Sequence, residues 1–239
     1  MKTLIYQINI GKGTQWEADK LTNIINKYCI PSVKNYAKKN NYDYRIYKED
    51  IFENFGKNFL LNKGTALSFN KYLYLKYLAY DQIVYLDTDV YICRNAEKLP
   101  IVINFSGVAE PEKVETHKLF SNFYFLGNDF KYINSGFFIT NKMDALKLGN
   151  YMIDRIKNKK KGKPKNTDNG LLNEFLYLSD KNFKFKILDK KWNYMPHLDN
   201  SQKIKPNIIH FVGDQGSNYL INISKKSENI NEYLENEYS

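Results

Sequence analysis

Arginine is almost missing from this 239-residue chain: Arg45, Arg94 and Arg155 are the only ones among 36 cationic side chains. Against 26 acidic side chains the net charge is +10 at pH 7, a balance that on its own invites a nucleic-acid partner. Arg, however, is the residue whose planar fork reads phosphates and base edges. Lys, Asn, Ile and Tyr are all abundant and all come from AT-rich codons, so coding composition accounts for much of the charge. Nucleic-acid binding is not expected. Cysteine is equally scarce: Cys29 and Cys93 stand apart, with neither metal-ligand spacing nor a disulfide framework, as suits a reducing compartment. No apolar run approaches a membrane span. Residues 1–10 have neither the apolar length nor the cleavage site of a secretory signal. These absences predict a cytoplasmic protein of bacterial or viral style, without a Golgi-type anchor. Peripheral membrane contact and homodimerisation stay open. Repeats and linkers are missing too. With 43% hydrophobic residues, enough for a sizeable core, the chain reads as one domain over 1–223 and a polar tail over 224–239.

The stretch that is richest in chemical meaning is Gln82–Ile92. Ile83, Val84, Tyr85 and Leu86 form an apolar run typical of a buried strand, and it stops at Asp87-Thr88-Asp89. Buried carboxylates are costly unless something neutralises them. Side chains on a strand alternate faces, so two acids one residue apart converge only where the strand gives way to a turn. The partner that suits such a pair is a hard divalent cation with room for phosphate oxygens. In open α/β sheets ligands gather at the carboxyl ends of strands, which is where this pair falls. The alternative is a pair of solvated loop or turn-capping aspartates.

The rest of the chain frames this element. Thr3–Ile10 reads as a first strand, closed by the turn Gly11-Lys12-Gly13. Helical spacing of Leu21, Ile24, Ile25 and Tyr28 predicts a helix from Trp16 to about Lys39, with Pro31 breaking or kinking it. Tyr42–Tyr47 reads as a strand and Ala66–Tyr80 as a helix, which together with Gln82–Leu86 completes a βαβαβ half. Further strands are predicted over Ile101–Ala109, Phe120–Leu126, Tyr132–Thr140, Phe183–Leu188 and Ile208–Val212. Helices are predicted over Met143–Ile156 and from Asp168 to about Leu178. Lys157–Asn166 reads as a solvated loop able to attract anions. The tail after Ser224 reads as one marginal helix (Ile230, Tyr233, Leu234), expendable to the core.

Five segments, in this order, resemble the family 8 glycosyltransferases, the glycogenin-like enzymes, over roughly Thr3–Asn218. They are Asn70-Lys71-Tyr72 through Asp87-Thr88-Asp89, then Ile133-Asn134-Ser135-Gly136, Asp168-Asn169-Gly170-Leu171-Leu172-Asn173, Trp192-Asn193-Tyr194 and His210-Phe211-Val212-Gly213. The resemblance implies the GT-A fold, an α/β architecture with a Rossmann-like central mixed sheet flanked by helices. It also implies a retaining, metal-dependent transfer of a hexose from a UDP-sugar, UDP-glucose or UDP-galactose, to a glycan or protein acceptor. Asp87, Asp89 and His210 would hold Mn²⁺, with Mg²⁺ as second choice. Asp168 would act near the reacting carbon as nucleophile or stabiliser, with the neutral Asn169 beside it. Ile8 and Asn9 fall where the family holds uracil, and Lys71 and Thr88 near the phosphates. Asn134, Ser135 and Gly136 face the sugar, Glu110 lies near an acidic position of the family, and Gly213 ends the metal motif.

One departure concerns the leaving-group side. The family follows its His-Phe-x-Gly with Lys-Pro-Trp, whose Lys binds the diphosphate; here those places hold Gly216, Ser217 and Asn218. Lys203, Lys205 or the Lys159–Lys165 loop could substitute for it. The loss also leaves open a catalytically inactive sugar-nucleotide or glycan-binding module. A strand followed by Asp-x-Asp-x-Val resembles the nucleophile motif of haloacid-dehalogenase phosphatases as well. That motif normally opens its chain, and no downstream acidic pair accompanies it here.

Overall fold

The apolar run Gln82–Leu86 becomes β3 and is buried along its whole length, as expected of a strand covered on both faces. In the computed structural model, which describes residues 1–10, 18–54, 67–111, 130–158, 167–180, 183–199 and 204–238, this strand lies inside a mixed sheet. The sheet contains β1 (Thr3–Ile8), β2 (Asp43–Tyr47), β5 (Phe105–Ala109), β6 (Ile133–Asn141) and β7 (Phe185–Leu188), in the order β2-β1-β3-β6-β5-β7. β1 pairs in parallel with β2 and β3, whereas β6 runs antiparallel to β3 and β5. Two short strands, β4 (Val90–Ile92) and β8 (Ile208–His210), form a separate antiparallel pair.

Period-two alternation sorts the sheet's side chains onto two cores. Leu4, Tyr6, Ile83, Tyr85 and Phe138 pack on one face under α3 (Asn70–Leu75) and α4 (Lys142–Lys157). Ile5, Val84, Leu86, Phe137 and Ile139 point the other way, towards Val33, Tyr36 and Ala37 of α2 (Ile30–Lys39). A third cluster joins the small β4–β8 pair to α1 (Ala18–Ile24), α6 (Gly213–Lys226) and α7 (Ile230–Tyr238).

Several element boundaries differ from the sequence expectations. The single helix expected to Lys39 is α1, a π-helical turn over Ile25–Cys29, and α2. Pro31 lies in the first turn of α2, where its missing N–H is tolerated, and the expected break is the π turn before it. Ile101 and Ile103 are exposed, and β5 starts only at Phe105, whose N–H donates to Asp144. Of the helix expected over Ala66–Tyr80, residues 67–68 and α3 are helical, the chain leaves the helix after Leu75, and Ala66 lies outside the described residues. Gly11–Gly13, Phe120–Leu126 and the Lys159–Lys165 loop lie outside the described residues. The tail is not expendable to the core: Ile230 and Leu234 of α7 are buried in the third cluster, and Glu235 accepts from Tyr91 Oη and from the Arg94 N–H. Among the described residues no helix is long and apolar enough to cross a membrane.

Candidate metal centre and cleft

Two strand pairings bring together residues that are far apart in the chain. β3 ends at Leu86, and the Asp87 N–H donates to the Gly136 carbonyl of β6 at 2.8 Å. On the other side β4 pairs with β8 in the register Val90↔His210, and the Phe211 N–H donates to the Asp89 carbonyl at 3.1 Å. The imidazole is thereby set one residue along from Asp89. Its Nε2 lies 3.3 Å from Asp89 Oδ1 and 3.7 Å from Asp87 Oδ2. One ligand atom from each of the three residues falls within 4.8 Å of the others.

The chemistry of this triangle fits a divalent cation. His210 is buried, and its Nδ1 lies 3.0 Å from Asn193 Oδ1, an acceptor, so Nδ1 carries a hydrogen; in the neutral ring that leaves Nε2 with its lone pair towards the acids. Asp89 Oδ1 is buried without a hydrogen-bond donor among the described residues. With Nε2 unprotonated, these acceptors face one another at a separation that a cation between them would relieve. The surrounding space is shaped to the same end. A Cβ at Gly136 would lie 2.1 Å from His210 Cε1 and 2.6 Å from Asp87 Oδ2, so only glycine lets the acid and the imidazole close in.

A buried cation adjoins the acids. Lys71 projects from α3 between β3 and β6, with Nζ 2.8 Å from Asp168 Oδ2, 3.0 Å from Ser135 Oγ and 3.5 Å from Asp87 Oδ1. Burial opposes the charge on Lys71, but Asp168 and Asp87 outweigh it and raise its pKa. Burial likewise opposes ionisation of Asp168, yet the Lys71 charge and hydrogen bonds from Lys71, Ser135 and the Asn169 backbone hold its carboxyl below the usual range. Asp168 opens α5 (Asp168–Glu174), but the N-cap is Thr167, whose side chain accepts from the Gly170 N–H. The Asp168 side chain is thus free of the capping task.

These groups line a cavity of about 430 Å³. Of the residues expected at a site, Ile8, Lys71, Asp87, Asp89, Asn134, Ser135, Gly136, Asp168, Asn169, His210 and Gly213 all face it. Asn9 and Thr88 are half-buried nearby and do not line it, and the Asn9 N–H is taken by the Tyr47 carbonyl. Glu110 is buried behind the wall, where Oε1 accepts from Asn134 Nδ2 at 3.0 Å and Asn169 Nδ2 at 3.2 Å. Sequence reasoning missed Tyr85, which lines the cavity and donates from Oη to Asp87 Oδ1. Its place two residues before Asp87, on the same strand face, was the available signal. It also missed Ile10, Leu67, Ser68 and Val212 on the wall.

No protein-family model matches the sequence, and no curated protein sequence matches it significantly. Solved structures do match. A glycosyltransferase involved in glycosylation of the major capsid of PBCV-1 superposes with a TM-score of 0.60 at 14% identity, covering 94% of this chain and 100% of that one. The galactosyltransferase LgtC, in complex with donor and acceptor sugar analogues, gives 0.55 at 12% identity, over 95% of this chain and 96% of its own. The bifunctional glycosyltransferase WbbM gives 0.59 at 14%, over 95% of this chain and 52% of its own. The fold is GT-A.

Within this GT-A frame, α6 leaves no room for a side chain at Gly216, where the resemblance expects a lysine. A Cβ at Gly216 would lie 2.1 Å from the carbonyl carbon of Phe211 and 2.4 Å from its oxygen, so no larger residue fits without moving backbone. Gly213, which starts the helix, has φ +63°, a left-handed conformation that favours glycine. Lys205, expected as a possible substitute, lines a separate cavity with Glu235 and Tyr238 and not this cleft. Lys203 and the Lys159–Lys165 loop lie outside the described residues.

Proposed function

We propose that this chain is a metal-dependent, retaining glycosyltransferase of the family 8 type that moves a hexose, glucose or galactose, from a UDP-sugar to a glycan or protein acceptor. The observation that carries the reading is the convergence of Asp87, Asp89 and the lone pair of His210 on one point of a GT-A cleft. Two carboxylates with one imidazole suit Mn²⁺ somewhat better than Mg²⁺. Such an ion, when bound, supplies Lewis-acid stabilisation of the diphosphate charge that builds as the anomeric bond breaks.

The remaining roles belong to the chain's own side chains. Lys71 holds a positive charge at the phosphate side of the cleft, and Asp168 holds a negative one where positive charge develops on the sugar. Asn169 stands beside it as a neutral amide and cannot act as a charged nucleophile. Asn134 and Ser135 orient sugar hydroxyls, and Gly136 lets the backbone come close. Ile8 and Asn9 lie on the base side, Thr88 between the two acids, and Glu110 beneath the amides. α6 begins at Gly213 on the cleft wall with no side-chain cap. Its N-terminal dipole favours the diphosphate by about 0.3–1 kcal/mol. That offsets only part of the roughly 3–4 kcal/mol that one transition-state donor can supply. Turnover is therefore expected to be slower than with a lysine in place.

The test is UDP release from a panel of UDP-sugars with Mn²⁺, with and without EDTA. Release by wild type that is abolished by EDTA and by Asp89→Ala supports the reading, and metal-independent turnover contradicts it. Gly216 favours a second reading, an inactive binding module, which predicts UDP binding without turnover of any UDP-sugar. The phosphatase alternative has no such support: Asp87, its required nucleophile, has Oδ1 engaged by Tyr85 and Lys71 while Oδ2 faces His210.

A further inference from the structure

Behind the three acceptor atoms runs a chain of amides whose direction is set by main-chain donors. The Gly136 N–H can only donate, and it does so to Asn134 Oδ1 at 2.9 Å. Asn134 must therefore turn Nδ2 the other way, and it meets Glu110 Oε1 at 3.0 Å. The Ser135 N–H fixes Asn169 by the same logic, donating to Oδ1 at 2.8 Å and leaving Nδ2 for the same Glu110 oxygen. With Asn134 Oδ1 thus an acceptor, Asn193 must offer it Nδ2, at 3.1 Å. Asn193 has then only Oδ1 to offer His210 Nδ1. Every polar orientation from the β6 backbone to the imidazole follows from the one before it. Glu110, Asn134, Asn193 and His210 are all buried, so these bonds are sheltered from bulk water even though Asn134 and His210 border the cleft.

We propose that Asn134 and Asn193 are positioning residues, an amide relay ending on Glu110 that keeps the His210 ring in its Nδ1–H tautomer so that Nε2 meets the metal with its lone pair already aimed. The proposal rests on the reading of Asp87, Asp89 and His210 as metal ligands. The alternative tautomer has a ready partner, because an Nε2–H would face the otherwise unpartnered Asp89 Oδ1 at 3.3 Å and close the site. The relay opposes that state by giving Nδ1–H a fixed acceptor. Groups that orient a ligating histidine in this way are worth roughly 10–100-fold in metal affinity.

The experiment is long-range proton–nitrogen correlation NMR of the metal-free protein, read at alkaline pH on the neutral His210 ring, together with Mn²⁺ titration followed by electron paramagnetic resonance. Wild type is expected to carry the hydrogen on Nδ1, and Asn193→Asp, which keeps an acceptor there, is expected to do the same. Asn193→Leu removes the acceptor and is expected to move the hydrogen to Nε2 and weaken Mn²⁺ binding roughly 10–100-fold. An Nε2–H ring in wild type overturns the proposal, as does Asn193→Leu with unchanged Mn²⁺ affinity, and either leaves the metal reading standing. Wild type that carries Nδ1–H but binds no Mn²⁺ overturns the metal reading and the proposal with it. If Asn193→Leu does not fold, the wild-type and Asn193→Asp spectra decide: both must show Nδ1–H, and Nε2–H in either overturns the proposal.

Discussion

Nζ of Lys71 lies 2.8 Å from Oδ2 of Asp168, in a pair whose lysine side chain is 3% exposed and whose aspartate is 19% exposed. Removing one member of a buried pair leaves the other charge uncompensated, at about 3–5 kcal/mol. Lys71→Met should therefore lower the urea midpoint by the equivalent of the lower part of that range, since Asp168 keeps some solvent. An unchanged midpoint would mean that the pair is not buried in solution.

The same pair sets a pH window. The lowered pKa of Asp168 gives stability that is present above its unfolded value and lost as pH falls through the folded one. The raised pKa of Lys71 gives stability present below its unfolded value and lost as pH rises through the folded one. The contribution should thus be flat across neutral pH, failing only below the ordinary Asp value of about 3.9 and above the ordinary Lys value of about 10.4. In Lys71→Met burial acts on Asp168 with less opposition, so acid unfolding should begin at a higher pH. Urea midpoints measured from pH 3 to 10 would check this.

Gly136→Ala places a methyl group against His210 Cε1 and Asp87 Oδ2. Overpacking of this kind costs about 1–3 kcal/mol. Because the atoms that must move are candidate ligands, Mn²⁺ affinity should fall by more than the stability loss alone would cause. Calorimetric titration and thermal melting on the same samples separate the two effects.

Gly216→Lys, which restores the residue type of the family at this position, should not improve activity. Its Cβ would overlap the Phe211 backbone next to His210, and the expected result is a melting temperature lowered by an overpacking cost of about 1–3 kcal/mol. A stable variant with faster UDP release would show that the start of α6 can reshape around a side chain.

Leu234→Ala tests whether the C-terminal helix holds the site. Leu234 is fully buried in the cluster that backs β4 and β8, so the truncation should cost about 2–5 kcal/mol. Loosening that cluster should also weaken Mn²⁺ binding, because β8 carries His210. A variant with unchanged melting would return the tail to the periphery.

Part of this site was visible in the sequence because local chemistry demanded it: an apolar strand that ends on two acids carries its meaning within a few residues. Gly136 and His210 were expected there only through the resemblance, since their approach to Asp87 is spatial. What stayed hidden depends on distant partners. The motif spacing places Lys71 near the phosphates, but its burial and its pairing with Asp168 come only from β3 and β6 closing over it. The core role of Leu234 and the Glu235 contacts to Tyr91 and Arg94 span most of the chain. Asn193 reads as part of a motif, but its function lies in the atom it turns towards His210. The start of β5 differs from the expected one because the apolar Ile101 and Ile103 lie exposed beyond the sheet.

Asp87, Asp89 and His210 should together grip one divalent ion. Crystals grown with Mn²⁺ and UDP, measured at the manganese absorption edge, test it directly. One strong anomalous peak is expected within bonding distance of both carboxylates and of Nε2 of His210, lost in Asp89→Ala. A peak elsewhere, or none at that point while UDP occupies the cleft, would contradict it.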